Sequence, residues 1–315
     1  DARRVLIHLL GDVDHRTALN ELRRVTGEIE PIHFGRDYIN APIEEAFAAL
    51  LTRRPEQVRE LRQRWSDLPE GLAAVLIRAA ARVRTSTTLG FVIDMLGKDA
   101  LVDLEILRTL ARAGGSRLAI DEHALERLRR TASSTDDELK RATFDALGAF
   151  ADGEAIDAII DGLGSNDALA ARAAHGALKA ISGADRGPAA DAWTVWRDEE
   201  LSWREERSEL LALQLESEDV GTVVAAIREL ASHTLFRSEG SAAIADQVNA
   251  ADEDVSRAAC EALVALGSSC ALAPLVAELT DENEQRCARA RAALVKLTGL
   301  ELEADARLWS DALGL

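Results

Sequence analysis

The sequence predicts an all-α fold, an α-solenoid of stacked antiparallel helix pairs, and three observations carry this prediction. Segments repeat at a spacing of 31 residues, so that Leu147 aligns with Leu178 and Leu263 with Leu294. Within the repeats, apolar residues recur at the i, i+3, i+4 and i+7 positions that form one face of a helix. Hydrophobic residues make up 47% of the chain but aromatic residues only 4%. Small side chains of this kind allow the close helix packing that a stacked repeat requires.

Each repeat is predicted to contain a short helix, a polar turn and a longer Ala-rich helix. Acidic turn residues can cap the exposed N–H groups of the second helix, and Thr135 with Glu138 and Asp281 with Glu284 have the spacing of a capping box. The apolar period predicts short helices at 154–163 and 271–279, and further helices at about 43–52, 55–66, 69–84, 88–97, 100–113, 120–132, 220–233 and 241–250.

Three repeats end in a Thr-Gly or Ser-Gly pair, at Gly27, Gly183 and Gly299. Trp193 and Trp309 each follow their glycine by ten residues. We expect the glycine to end its helix in a left-handed cap and the aromatic residue to pack back over the last helix pair. These closures predict three blocks in one continuous solenoid: an N-terminal repeat with its tail, central repeats with a Trp-rich closing helix, and acidic C-terminal repeats, at 1–66, 67–216 and 217–315.

The clearest repeats share an Asp/Asn-rich turn, an Arg early in the second helix, and the pattern A-x-x-A-L-x-x-L-G. This pattern resembles the HEAT repeats of the bacterial, phycobilisome-lyase-like type, well over 135–183 and 251–299, fairly over 1–27 and weakly over 67–132. The resemblance implies a right-handed superhelix of HEAT-like helix pairs that serves mainly in protein–protein contact. It implies no reaction, because a fold does not define a function.

Charge is distributed unevenly along the chain. Residues 1–150 contain 23 Lys and Arg against 24 Asp and Glu, whereas residues 151–315 contain 14 against 31. A chain with a net charge of −18 is a poor general nucleic-acid binder, since such binding needs a basic face. We therefore expect a protein partner and no nucleic acid, and we expect the acidic half to favour a basic surface.

The cysteines and the apolar runs restrict the class further. Cys260, Cys270 and Cys287 are few and odd in number, which predicts no disulfide framework and fits a reducing compartment. No apolar run approaches the roughly 18–20 residues that span a bilayer, so no membrane span is expected. The chain begins at Asp1 without a signal-like segment. Removal of a leader stays open, and the sequence assigns no compartment.

No motif in the sequence predicts catalysis. The G-x-S-x-G, Walker and G-x-G-x-x-G patterns are absent, as are H-E-x-x-H and a closely spaced cysteine pair. His8, Asp12, Asp14 and His15 could surround a metal ion at a helix turn, but a helix end with its cap is the favoured interpretation. The prediction is a protein that is not an enzyme and that holds no cofactor or metal.

Two sets of residues are candidates for partner binding. Arg16, Arg141, Arg172 and Arg257 fall early in successive second helices and would form a ladder in a stacked array. Such a ladder can pair with the acidic turns of adjacent repeats, which is the favoured interpretation, or bind carboxylates of a partner from the concave surface.

The second set is aromatic. Trp193, Trp196 and Trp203 lie within roughly 100° of each other on one helix, and this face is either core or a binding hot spot. The interleaved charges, among them Glu199 and Glu200, are expected on the opposite, solvated side.

A basic cluster at 53–64 followed by Trp65 allows one further alternative. A HEAT-like DNA alkylpurine glycosylase would need a basic groove, aromatic residues and a carboxylate. The acidic C-terminal half opposes a DNA duplex, so a solvated helix face is favoured for this cluster.

The function that the sequence supports is a non-enzymatic protein–protein interaction scaffold or adaptor that uses a concave solenoid surface. Two alternatives stay open. One is a HEAT-type lyase or chaperone-like subunit that acts on a cofactor-bearing protein. The other is a structural subunit of a homo- or hetero-oligomer, assembled through the apolar N-terminal end that contains Leu6, Ile7, Leu9 and Leu10.

Overall fold

The computed structural model describes residues 41–65, 70–83, 85–97, 100–113 and 122–313, together with 18, 21, 68 and 315. Within these residues the chain is helical and contains no strand, which confirms the predicted all-α class. Among the described helices, none is long and apolar enough to cross a membrane. Contacts divide the chain into two compact units, residues 1–113 with 120–146 (unit 1) and residues 114–119 with 147–315 (unit 2). The predicted division into three blocks stays a prediction.

Unit 1 stacks its helices in two layers. Helices α1, α3 and α5 pack side by side in a long-helix layer, and α2, α4 and α6 pack in a short-helix layer. Their bounds are α1 Ala41–Arg53, α2 Gln57–Gln63, α3 Glu70–Val83, α4 Ser86–Asp94, α5 Ala100–Ala113 and α6 Glu122–Arg130. The next helix, α7 Asp137–Phe150, contains the boundary between the two units. Phe47, Phe91 and Leu76 are fully buried in the core of this unit.

Unit 2 repeats the arrangement of alternating short and long helices. The described helices are α8 Ile156–Gly162, α9 Ala168–Ser182, α10 Ala190–Leu215, α11 Val220–Ser232, α12 Arg237–Ile244, α13 Glu253–Leu266, α14 Leu272–Glu278, α15 Glu284–Thr298 and α16 Ala306–Leu313. Helices α11, α13 and α15 pack in sequence as one layer, while α14 packs on α16 in the other. Helix α10, with 26 residues, contacts α8 and also α11. The predicted helices match these bounds within a few residues, except that α12 begins four residues before the predicted start.

Side-chain caps begin the long helices. Asp167, Asp252 and Asn283 each accept hydrogen bonds from two backbone N–H groups of the first turn. Asp136 does the same for α7, accepting from Glu138 and the next residue. The caps therefore lie one and two residues after the positions that the capping-box spacing predicted, because the Asp or Asn nearest the first turn reaches its N–H groups best.

The predicted left-handed caps are confirmed at Gly183 and Gly299, whose φ angles are 72° and 74°. The tryptophans that follow them are fully buried, as expected. Trp193 Nε1 donates to the Gly187 carbonyl at 2.7 Å, and Trp309 Nε1 donates to the Glu303 carbonyl at 2.8 Å. The two closures are thus built alike, since each indole satisfies its N–H six residues upstream. The third predicted closure, at Gly27, lies outside the described residues.

Candidate functional site

A groove of about 360 Å³ runs between α11 and α13 of unit 2. This volume falls at the lower end of the range for ligand sites, roughly 300–1,000 Å³. The groove exists because small residues stand where the two helices face outward. We call it the α11/α13 groove, and its lining residues are Val220, Gly221, Val224, Ala225, Arg228, Asp254, Arg257, Ala258 and Glu261.

The cap of α11 fixes one end of this groove. Asp219 accepts hydrogen bonds from the backbone N–H and the hydroxyl of Thr222 at 2.8 and 2.7 Å. These bonds stabilise the carboxylate and lower the pKa of Asp219. Gly221 lies in this first turn, and a Cβ at this position would meet only the Asp219 carboxylate, at 3.4 Å. The groove floor here is therefore open for lack of a side chain.

The four charged residues of the α11/α13 groove are not bound to one another across it. Arg257 pairs with Asp254 within its own helix, three residues away. Arg228 and Glu261 are exposed, and neither makes a hydrogen bond or an ion pair within the described part of the chain. A guanidinium and a carboxylate of this kind can donate to and accept from a bound molecule.

A smaller groove of about 190 Å³ lies in unit 1, where Arg78 and Arg82 of α3 face Arg112 of α5. Arg78 bridges two carboxylates at 3.0 Å, Glu44 on α1 and Glu105 on α5. The three side chains are only 8–15% exposed. Burial disfavours the charged guanidinium, but the hydrogen bonds and charges of Glu105 and Glu44 outweigh it and raise the pKa of Arg78. In this groove the central charges hold three helices together.

The four arginines of the predicted ladder lie in different settings. Arg141 lies 3.6 Å from Glu138 of its own helix, and Arg257 pairs in the same way with Asp254. Arg172 is exposed on α9 without an ion pair in the described residues. Arg16 lies outside the described residues. Arg141, Arg172 and Arg257 occupy the fifth position of their helices, so the equivalence that the repeat predicted is present at these three.

The ion pairs that connect neighbouring repeats come from other arginines. Arg289 of α15 pairs with Glu253 of α13 and donates to the Ser256 hydroxyl at 2.9 Å. Arg197 of α10 pairs with Asp157 of α8. An arginine and an acidic residue about one repeat length apart are the sequence signal for such pairs, and the predicted ladder did not include it.

The three tryptophans of α10 divide between two environments. Trp193 and Trp196 are buried, with ring centroids 5.9 Å apart, and the Arg186 guanidinium lies 4.8 Å from the Trp196 ring. Trp203 is partly exposed and stacks on His233 at 3.5 Å with nearly parallel planes. Of the candidate aromatic residues, only Trp203 therefore presents part of its ring at a surface.

The placement of Glu200 corrects one prediction from the sequence. Glu200 is 7% exposed, not solvated, and its Oε1 lies 3.1 Å from His233 Nδ1. Trp203 Nε1 donates to Glu229 at 3.0 Å, and Arg207 donates to both oxygens of Glu229 at 2.8 Å. These bonds, led by Arg207, lower the pKa of Glu229 to about 2. The sequence alone could not locate this cluster, because its partners come from α10 and α11.

Groups suited to catalysis are not brought together in the described residues. No three His, Cys, Asp or Glu side chains converge there as a metal site, and the candidate metal residues near His8 lie outside the described range. Cys260 is buried, and burial raises its pKa to about 11, so the thiol stays protonated at neutral pH. Cys287 donates its thiol to the Leu279 carbonyl at 3.1 Å.

The basic cluster at 53–64 lacks the aromatic platform that a DNA glycosylase would need. Trp65 is 8% exposed and packs edge-on against Phe91, with ring centroids 5.6 Å apart. Arg54 lies 3.2 Å from Glu56, and Arg62 pairs with Asp94. The Trp65 ring is therefore not open to stack on a base, and these two arginines already have carboxylate partners.

Comparisons with known proteins give similarity only to solved structures. No family model matches the chain, and no curated protein matches it. A crystal structure of an engineered protein is 17% identical, covers 94% of this chain and 84% of its own, and has a TM-score of 0.33. Computationally designed armadillo repeat proteins for modular peptide recognition are 16% identical, with 67% and 100% covered and a TM-score of 0.28.

Human deoxyhypusine hydroxylase in complex with glycerol is 15% identical, with 80% and 98% covered and a TM-score of 0.30. TM-scores at this level carry no argument about function, so the class rests on the repeat and on the layered helices. The chain is a helical repeat protein with a scaffold-like fold.

Proposed function

We propose that this protein is a non-enzymatic scaffold or adaptor for protein–protein interaction, whose acidic C-terminal part binds a partner with a basic surface. The observation that carries the proposal is the charge distribution, with 14 basic against 31 acidic residues over 151–315. Such a field attracts a basic partner from a distance and repels an acidic one.

The exposed face of α10 supports this proposal. Glu199, Glu205 and Glu209 are exposed there and make no ion pair with any described residue. Unpaired surface carboxylates on a rigid helix keep their charge available to a partner, whereas paired ones are already neutralised. The partly exposed Trp203 lies on the same helix and could supply an aromatic contact.

We also propose that the repeats are HEAT repeats of the phycobilisome-lyase-like type. The Asp and Asn caps at Asp167, Asp252 and Asn283 support it, as do the left-handed glycines that end the same helices. A lyase or chaperone-like activity finds less support, because neither of the two grooves is lined by a histidine. Assembly through the apolar N-terminal end concerns residues outside the described range.

Capture of partners from native lysate, at about 0.02 M and about 0.5 M salt, tests the scaffold function. We expect one or two stoichiometric proteins with basic surfaces, retained at low salt and released at high salt. Replacing Glu199, Glu205 and Glu209 with Gln should reduce capture several-fold. The matched control replaces three exposed acidic residues of unit 1, Glu45, Glu126 and Asp137, by their amides.

An equal loss with both variants would show that net charge alone matters, not the acidic face of α10. No protein retained at any salt concentration would overturn the scaffold proposal.

A further inference from the structure

We infer that the α11/α13 groove is the binding site for an extended peptide segment of a basic partner, in which Glu261 accepts a Lys or Arg side chain and Arg228 donates to main-chain carbonyl oxygens. This inference rests on the proposed function and deepens it, since it assigns one site and one chemical class of ligand.

The first argument is that the groove is open and shallow. Gly221 and Ala225 are exposed, and they leave space where longer side chains would otherwise stand. A volume of about 360 Å³ is too small to enclose a helix, whose diameter is about 10–12 Å with side chains. An extended chain, by contrast, can lie along small residues with its backbone close to both helices.

The second argument is that the groove offers unused donors and acceptors. Arg228 and Glu261 line the same groove without a partner among the described residues, while many other charged side chains of unit 2 are paired. An extended main chain presents both N–H and C=O groups, and this pair can serve both. Arg257 keeps free N–H groups as well, since its bond to Asp254 uses only one nitrogen.

The third argument selects the sign of the ligand. The groove itself carries two arginines and two carboxylates, so its local charge does not decide. The surrounding sequence does, because residues 151–315 contain 31 acidic and 14 basic residues. That field opposes an anionic ligand and favours a cationic one, which places a basic side chain at Glu261.

The smaller groove of unit 1 does not qualify as a second such site. Its Glu44 and Glu105 are already bound by Arg78, and both are largely buried. Its volume of about 190 Å³ also lies below the range of ligand sites.

The experiment measures the fluorescence anisotropy of a labelled peptide of alternating Lys and Ser, titrated with the full chain at about 0.02 M salt. We expect binding that weakens steeply with added salt. Glu261→Gln should raise Kd about tenfold, because it removes the carboxylate that faces the basic side chain. Ala225→Leu should raise it at least as much, because its larger side chain fills the groove.

Two control variants match these changes outside the groove. Glu209→Gln removes the same charge from an exposed, unpaired position of α10, and Ala243→Leu adds the same bulk at an exposed position of α12. We expect each control to change Kd by less than about twofold. Both groove substitutions are at exposed positions, so all four variants should retain the far-ultraviolet circular dichroism of the natural sequence.

The outcomes separate the two proposals. If the natural sequence does not bind the Lys-Ser peptide even at low salt, the proposed basic partner is wrong. If it binds, but Glu261→Gln and Glu209→Gln weaken binding equally, the acidic field is supported and the groove is rejected. Tighter binding of the matching Glu-Ser peptide would overturn the basic ligand and leave the groove with the opposite specificity.

Discussion

The two grooves differ in how they use charge. In unit 1, Arg78 joins Glu44 and Glu105 across three helices, and all three side chains are largely buried. In unit 2, Arg257 pairs only within its own helix, and Arg228 is exposed without a partner in the described residues. A buried pair that connects helices contributes to the stability of the fold, whereas an exposed charge contributes little.

This difference teaches that the presence of arginine on a repeat helix does not define its role. What decides the role is whether a carboxylate of the neighbouring helix lies within reach. Where it does, the pair fastens one repeat to the next. Where it does not, the guanidinium stays available to a ligand. The comparison can be tested by substitutions in matched pairs.

The largest effect is expected for Arg78→Ala, which leaves Glu44 and Glu105 buried without their cation. We expect the free energy of unfolding to fall by about 2–4 kcal/mol, below the full cost of breaking a buried pair because the residues are not fully enclosed. The control, Arg228→Ala, should change it by no more than about 0.5 kcal/mol. Urea denaturation followed by circular dichroism measures both. Equal losses would mean that the charges of the two grooves have the same structural role.

A smaller effect is expected within unit 2, for Arg289→Ala. Arg289 connects α15 to α13 through Glu253 and the buried Ser256. Its loss should cost about 1–2 kcal/mol, since hydrogen bonds to charged groups have this strength. Arg257→Ala removes a bond within one helix and should cost about 0.5 kcal/mol or less. The same urea denaturation compares the two variants, and a larger cost at Arg257 would contradict the distinction between connecting and local pairs.

Much of the fold could be predicted from the sequence, because repeats, caps and closures are local patterns. The spacing of 31 residues predicted the helix pairs, and the distance of ten residues from Gly183 to Trp193 and from Gly299 to Trp309 predicted two closures of the same design. Apolar period and turn chemistry are sufficient for such features, since both act within one repeat.

The candidate site was less predictable, because it depends on which side chains meet across helices. Arg78 binds carboxylates 34 and 27 residues away, and no pattern within one helix reveals them. Glu200 looks solvated in the sequence, yet His233 lies against it from the end of α11. The groove itself arises from small residues on two helices, and only their packing shows that these face the same opening.

The smallest expected effect concerns pH and the cluster at the α10–α11 contact. The pKa of Glu229 in the folded state is about 2, below its ordinary value of 4.5, chiefly because Arg207 donates to its carboxylate. A lowered folded-state pKa stabilises the fold above pH 4.5, and this contribution is lost as the pH falls through about 2. Glu229→Gln should therefore flatten the fall in stability between these two pH values, while leaving stability at pH 7 somewhat reduced. Denaturation with urea at a series of pH values measures the slope. Glu209→Gln provides the control, because Glu209 is exposed and has no partner among the described residues. If the control flattens the slope equally, the loss of stability in acid reflects the general charge of unit 2 and not the bond between Arg207 and Glu229.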